Sequence, residues 1–167
     1  AMKWKKACFG IFIFSLLLGL DQVTKHLAVI HLKEQEPLPF IQDVFELQYL
    51  ENFGAAFGVL QNQRILLLAV TSIVLLLLCF FYWKIPVGKR YFPMQCTIVL
   101  IAAGAVGNLI DRLLHGYVVD FFYFKLIDFP IFNVADCYVV IAAFFAVILI
   151  GFYYKEEELT FWKKEKN

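Results

Sequence analysis

Nineteen consecutive residues, Ile65 to Trp83, carry no charge at all. At 1.5 Å per residue a helix of that length covers roughly the 30 Å hydrocarbon core of a bilayer. Inside lipid every backbone N–H and C=O must be satisfied within the chain, so a run of this kind folds as a helix. Three further segments read the same way. The first, about Ala7 to Ile30, opens with fourteen uncharged residues up to Leu20. A lysine-rich start ahead of a short apolar run also fits a secretory signal peptide, but no A-x-A cleavage pattern follows, and the apolar helix continues past Leu20. The others run from about Met94 to Leu114 and from about Asp136 to Tyr154. The expected fold is an all-α membrane protein of one integral membrane domain over residues 1–167. Its four transmembrane helices fall at about 7–30, 65–83, 94–114 and 136–154.

Composition agrees, with 62% hydrophobic residues against roughly 45–50% in soluble domains. A formal net charge of +1 and the lack of any RNA or DNA motif argue against nucleic acid as a partner. Ala1 ahead of Met2 reads as an added residue and carries no argument. The four cysteines, Cys8, Cys79, Cys96 and Cys137, show no paired metal spacing. A Cys137–His115 nucleophile pair lacks a residue to orient the histidine.

Lysine and arginine set the expected orientation. Lys3, Lys5, Lys6, Lys84, Lys89, Arg90, Lys155, Lys163, Lys164 and Lys166, ten of the fifteen basic residues, fall on one side. Both termini are therefore expected in the cytoplasm, with loops 31–64 and 115–135 outside. Within the first loop, Phe45, Leu47 and Tyr49 alternate with Glu46 and Gln48, which predicts a half-buried strand and a small β-containing extracytoplasmic subdomain. The second loop, rich in Phe and Tyr, is expected to rest in the interface.

Helix direction then brings every unusual polar residue to the outer membrane surface: Asp21 and Lys25, Asn52, Asn108, Asp111 and Arg112, Asp120, Asn133 and Asp136. A carboxylate deep in a bilayer costs about 2.5–3.5 kcal/mol on insertion scales, so such acids default to a functional reading. Asp21 and Lys25 are spaced for an i,i+4 ion pair, acid first. Asn108, Asp111 and Arg112 share one face of the third helix, where Gly104 and Gly107 admit a close neighbour. Arg112 is placed either to brace helix ends or, with Asn108, to hold a substrate backbone; Asp111 is assigned to bracing beside Arg112. Asp120 lies in a loop able to fold over the bundle, and Asn133 stands three residues before Asp136 as a helix cap. Spacing leaves two readings of Asp120 and Asp136 open, as unrelated acids or as a pair that cuts an amide bond without a metal.

Five motifs occur in order: Asp21-Gln22-Val23-Thr24-Lys25, Asn52-Phe53-Gly54-Ala55-Ala56-Phe57, Gly104 through Arg112, Val118-Val119-Asp120-Phe121 and Phe132-Asn133-Val134-Ala135-Asp136. Together they closely resemble bacterial lipoprotein signal peptidase (signal peptidase II), over about residues 10–155. The resemblance implies a monomeric aspartyl endopeptidase of the bacterial cytoplasmic (inner) membrane that needs no cofactor and no metal. It would remove signal peptides from prolipoproteins lipidated on the lipobox cysteine, whose acyl chains stay in the membrane lipid. Asp120 and Asp136 would be the catalytic pair. Asn52, Asn108, Arg112 and Asn133 would line the site for substrate and for cyclic peptide inhibitors of the globomycin kind. Asp21, Lys25 and Asp111 would support it. Phe45, Tyr49, Phe53 and Phe57 are candidates for clamping the signal helix. Two rival classes remain: a transporter or channel with polar residues along a pathway, and a scaffold whose acids only brace helices.

Overall fold

The computed structural model describes residues 2–55 and 59–161. Among these residues, four helices are long and apolar enough to cross a membrane: α1 (Met2–Leu32), α2 (Arg64–Lys84), α3 (Phe92–Leu114) and α4 (Val134–Ile148). The last continues through a π-helical turn, Leu149–Tyr153, before a short α5 (Glu156–Leu159). The Tyr154 amide closes that turn on the Leu149 carbonyl at 2.8 Å. Pro93 sits in the first turn of α3, where its missing N–H costs nothing.

Helices consecutive in the chain run antiparallel. Lys6 at the start of α1 donates to the carbonyls of Tyr82 and, at 2.8 Å, Ile85 beyond the end of α2. Arg64 at the start of α2 donates to Leu113 O at the end of α3, at 3.0 Å. Arg90 ahead of α3 meets Tyr153 and Glu158 beyond α4. The outward faces stay apolar: Ile65 is 84% exposed and Phe152 88%, which water would penalise and lipid does not. The basic residues Lys3, Lys5, Lys6, Lys84, Lys89, Arg90 and Lys155 gather at the end that carries the N-terminus of α1. Lys163, Lys164 and Lys166 lie outside the described residues, as do Ala1 and Phe57.

The opposite end holds a three-stranded antiparallel sheet in the order β1 (Leu38–Ile41), β2 (Phe45–Asn52), β3 (Val118–Tyr123). The β1–β2 hairpin turns through Asp43 in the left-handed region, φ 58°. The expected strand at Phe45 exists, but its burial does not alternate as the sequence suggests. Glu46 is its buried residue, paired with Lys125 at 3.3 Å. Leu47 and Tyr49 pack beside Val119 and Phe121 against Ala28 and Leu32 at the end of α1.

The second loop departs further from expectation. Asp120 stands in β3, not in a loop. Val118, Val119, Asp120 and Phe121 are all buried. A strand covered on both faces shows no period-two pattern, so the sequence hides it. Its far end is tied by an isolated bridge between Phe122 and Phe132, around which the rings of Phe45, Phe124 and Phe129 pack. That bridge closes the excursion between residues 122 and 132, and so delivers Asn133 beside Asp120.

Candidate active site

Asn133 is the N-cap of α4. Its Oδ1 accepts from the Asp136 amide at 2.9 Å, while its own N–H donates to Asp136 Oδ2 at 3.2 Å. This reciprocal capping box fixes Asp136 by local sequence alone. The same side chain reaches across to the sheet. Asn133 Nδ2 donates to Asp120 Oδ1 at 2.6 Å and to Asn108 Oδ1 at 3.2 Å. Asn108 Nδ2 in turn donates to Asp136 Oδ1 at 2.9 Å. The two carboxylates from separate parts of the chain therefore share a single framework of two amides.

The other Asp120 oxygen accepts from Asn52 Nδ2 at 2.9 Å. Asn52 is opposite Val118 in the ladder, so Asp120, two residues on, is its diagonal neighbour on the same face. A register shift between Leu47 and Leu50 lies next to that pair, a common place for a bulge that re-aims a side chain. Asp120 is 1% exposed. Burial first, and the charge of Asp136 second, push its carboxyl up to about 7, against the opposing hydrogen bonds from Asn52 and Asn133.

Behind the pair lies a buried ion triad. Lys25 Nζ is 3.0 Å from Asp21 Oδ2 and 3.1 Å from Asp111 Oδ2, and it donates to Asn108 Oδ1 at 2.9 Å. Asp21 Oδ1 accepts the Ala135 amide at 3.0 Å, which anchors the first turn of α4 on α1. Asp111 Oδ2 accepts the Val119 amide at 3.1 Å, which anchors β3 on α3. Asp111 thus braces the site, but through Lys25 and Val119 and not through the adjacent Arg112. Gly107 makes the approach possible: a Cβ there would stand 2.3 Å from Asp21 Oδ2. At Gly104 it would stand 2.5 Å from the Ala135 carbonyl.

Arg112 reaches the first loop. Nη2 donates to Gly54 O at 2.8 Å and Nη1 to Asn108 O at 3.4 Å, while Nε is buried without an acceptor among the described residues. The guanidinium thus ties backbone carbonyls of α3 and the first loop together. All nine polar residues singled out from the sequence enter one network. Gln22, given no role from sequence, also belongs to it: its Nε2 donates to Asp21 Oδ2, Asp111 Oδ1 and Gly107 O at 3.1–3.3 Å. Its place between Asp21 and Lys25 was the available signal, since it faces α3 with them. The aromatic clamp divides. Phe45 and Tyr49 serve the sheet, whereas Phe53 is 43% exposed and rests on Tyr117.

Fold and site define a multi-pass membrane protein that holds two amide-bridged carboxylates, one buried and one half-buried, at one end of its bundle. The chain matches the family model for signal peptidase (SPase) II over residues 13–152. It is 44% identical over 124 residues to a lipoprotein signal peptidase of Brevibacillus brevis, covering 74% of this chain and 82% of that one. It is 41% identical over 143 residues to that of Clostridioides difficile, covering 86% and 95%. A bacterial membrane enzyme solved by the in meso method at 2.3 Å superposes with a TM-score of 0.76 at 33% identity, over 95% of this chain and 93% of that one. The chain belongs to the signal peptidase II family and, with it, is a protease.

Proposed function

We propose that this protein is an aspartyl endopeptidase that removes the signal peptides of lipid-modified prolipoproteins, cutting before the diacylglyceryl-cysteine. The observation that carries the reading is the shared amide framework: Asn133 and Asn108 bridge Asp120 to Asp136. Two close acids cannot both ionise easily, so the pair holds one proton between them. Asp120, the more deeply buried acid, is its resting place. The ionised partner takes a proton from water, and that water attacks the scissile carbonyl. The protonated carboxyl polarises the carbonyl and then protonates the leaving amine.

Asn52, Asn108, Arg112 and Asn133 are the groups assigned to the substrate backbone and to globomycin-like cyclic peptides. The buried Arg112 Nε, without an acceptor among the described residues, is a donor that a substrate carbonyl would satisfy. Asp21, Lys25 and Asp111 support the site by holding α1, α3, α4 and β3 together. The concentration of basic residues at the opposite end supports cytoplasmic termini and a site at the outer face of a bacterial inner membrane. There the acyl chains of the substrate stay in lipid while the cleaved bond meets water. One copy of the chain contains the whole site.

The test is cleavage of a diacylated prolipoprotein by the wild type and by Asp120→Asn and Asp136→Asn. Both variants are expected to fold, to bind the substrate and to leave it uncut. Cleavage at an undiminished rate by either variant overturns the aspartyl assignment. Cleavage of the unlipidated precursor at the same rate overturns the substrate assignment.

A further inference from the structure

At the end of the bundle away from the carboxylates, α1 and α3 part to leave a cavity of about 570 Å³. Phe9, Val87 and Phe92 give it an apolar wall, and Lys5, Lys6 and Lys89 give it a basic rim. No acidic residue among the described ones lines it. Lys6 is committed, its ammonium held by the carbonyls of Tyr82 and Ile85. Arg90, next in sequence to Lys89, is committed as well, with Nε 2.9 Å from Glu158. Lys5 and Lys89 are exposed and make no ion pair among the described residues. The rings of Phe9 and Phe92 stand 5.7 Å apart, centroid to centroid.

We propose that this cavity binds one anionic phospholipid, its phosphate at Lys5 and Lys89 and an acyl chain along Phe9 and Phe92. Two features select a lipid over a free phosphate. The cavity offers apolar wall next to its cations, which a free anion does not use. Trp4, next to Lys5, and Trp83, next to Lys84, are 71% and 54% exposed, and tryptophan prefers the headgroup level of a bilayer. A basic notch between transmembrane helices at that level fits a lipid headgroup. The proposal does not depend on the chemistry assigned to Asp120 and Asp136.

Native mass spectrometry of the full chain, released from detergent micelles, tests it. Phosphatidylglycerol is expected to give one retained adduct, phosphatidylcholine a weaker one and inorganic phosphate none. Lys5→Gln and Lys89→Gln, both exposed changes, are each expected to weaken the phosphatidylglycerol adduct about fivefold. Phe9→Ala with Phe92→Ala should weaken it too, with thermal unfolding confirming that every variant is folded. Equal binding of the two lipids, or an unchanged adduct in either lysine variant, overturns the proposal. So does displacement of the lipid by inorganic phosphate at similar concentration, or a lipid-free dimer that closes the cavity.

Discussion

Replacing Lys25 by Met is the perturbation whose cost the coordinates set most directly. The ammonium stands 3.0 Å and 3.1 Å from two carboxylates that are 0% and 3% exposed. Without it, Asp21 and Asp111 face each other across a gap bridged by Gln22, with only the amides of Ala135 and Val119 as further donors. Breaking a buried ion pair by removing one partner costs about 3–5 kcal/mol, a large part of the roughly 5–15 kcal/mol of a typical fold. A second effect falls on the site. Asn108 Oδ1 keeps the Asn133 amide alone, so nothing charged prevents its side-chain amide from turning and presenting oxygen to Asp136. Denaturant unfolding of the solubilised protein is expected to show the stability loss, and cleavage a lower kcat with a smaller change in KM. Adding Asp21→Asn and Asp111→Asn to Lys25→Met removes the unpaired charges and is expected to return most of the stability. A single variant that loses under about 1 kcal/mol, or a triple variant no steadier than the single, refutes the argument. If the single variant does not fold, the triple variant decides alone.

Gly107→Ala is expected to cost about 1–3 kcal/mol by overpacking, because its Cβ would lie 2.3 Å from Asp21 Oδ2; thermal unfolding against Gly19→Ala, which meets nothing within 4 Å, checks it. Asp120 has a folded pKa raised to about 7, so its ionisation opposes folding: stability is greatest where the carboxyl is protonated in both states and falls as pH rises from about 4 to about 7. Thermal unfolding between pH 5 and pH 8 is expected to show a smaller fall in Asp120→Asn than in the wild type, and wild-type cleavage should decline above about pH 7 as the shared proton is lost. Arg112→Lys retains charge but loses the planar two-nitrogen contact with Gly54 O and Asn108 O, so KM for the prolipoprotein is expected to rise about tenfold, read by steady-state cleavage.

The helices were legible because lipid leaves one solution for an uncharged run, and Ile65–Trp83 had no other reading. The polar residues were legible because a charge in such surroundings is expensive and rarely idle. The capping box was legible as well, since Asn133 and Asp136 are three apart and their bond is local. What failed was the environment of Asp120. Its strand is buried on both faces, and its partner β2 lies over sixty residues away in sequence, so no local periodicity marked it. Glu46 misled for a similar reason: alternation predicted it outward, but Lys125 from a distant turn draws it in. Gln22 was passed over because an amide between two charges carries less cost than they do, although two of its contacts weld α1 to α3.

The arrangement also explains why the site tolerates so much buried charge. Each ion of the triad is spent on a backbone amide or a side-chain amide that must be positioned: Asp21 on the start of α4, Asp111 on β3, Lys25 on Asn108. A hydrophobic trio of the same volume would pack as well or better, but it would leave those amides unpaired and the three elements free to shift. The network therefore contributes register more than stability. Asp120 and Asp136 come from a strand and a helix; the capping box holds Asn133 to Asp136 locally, and the triad's register keeps Asn108 in place between Asn133 and Asp136.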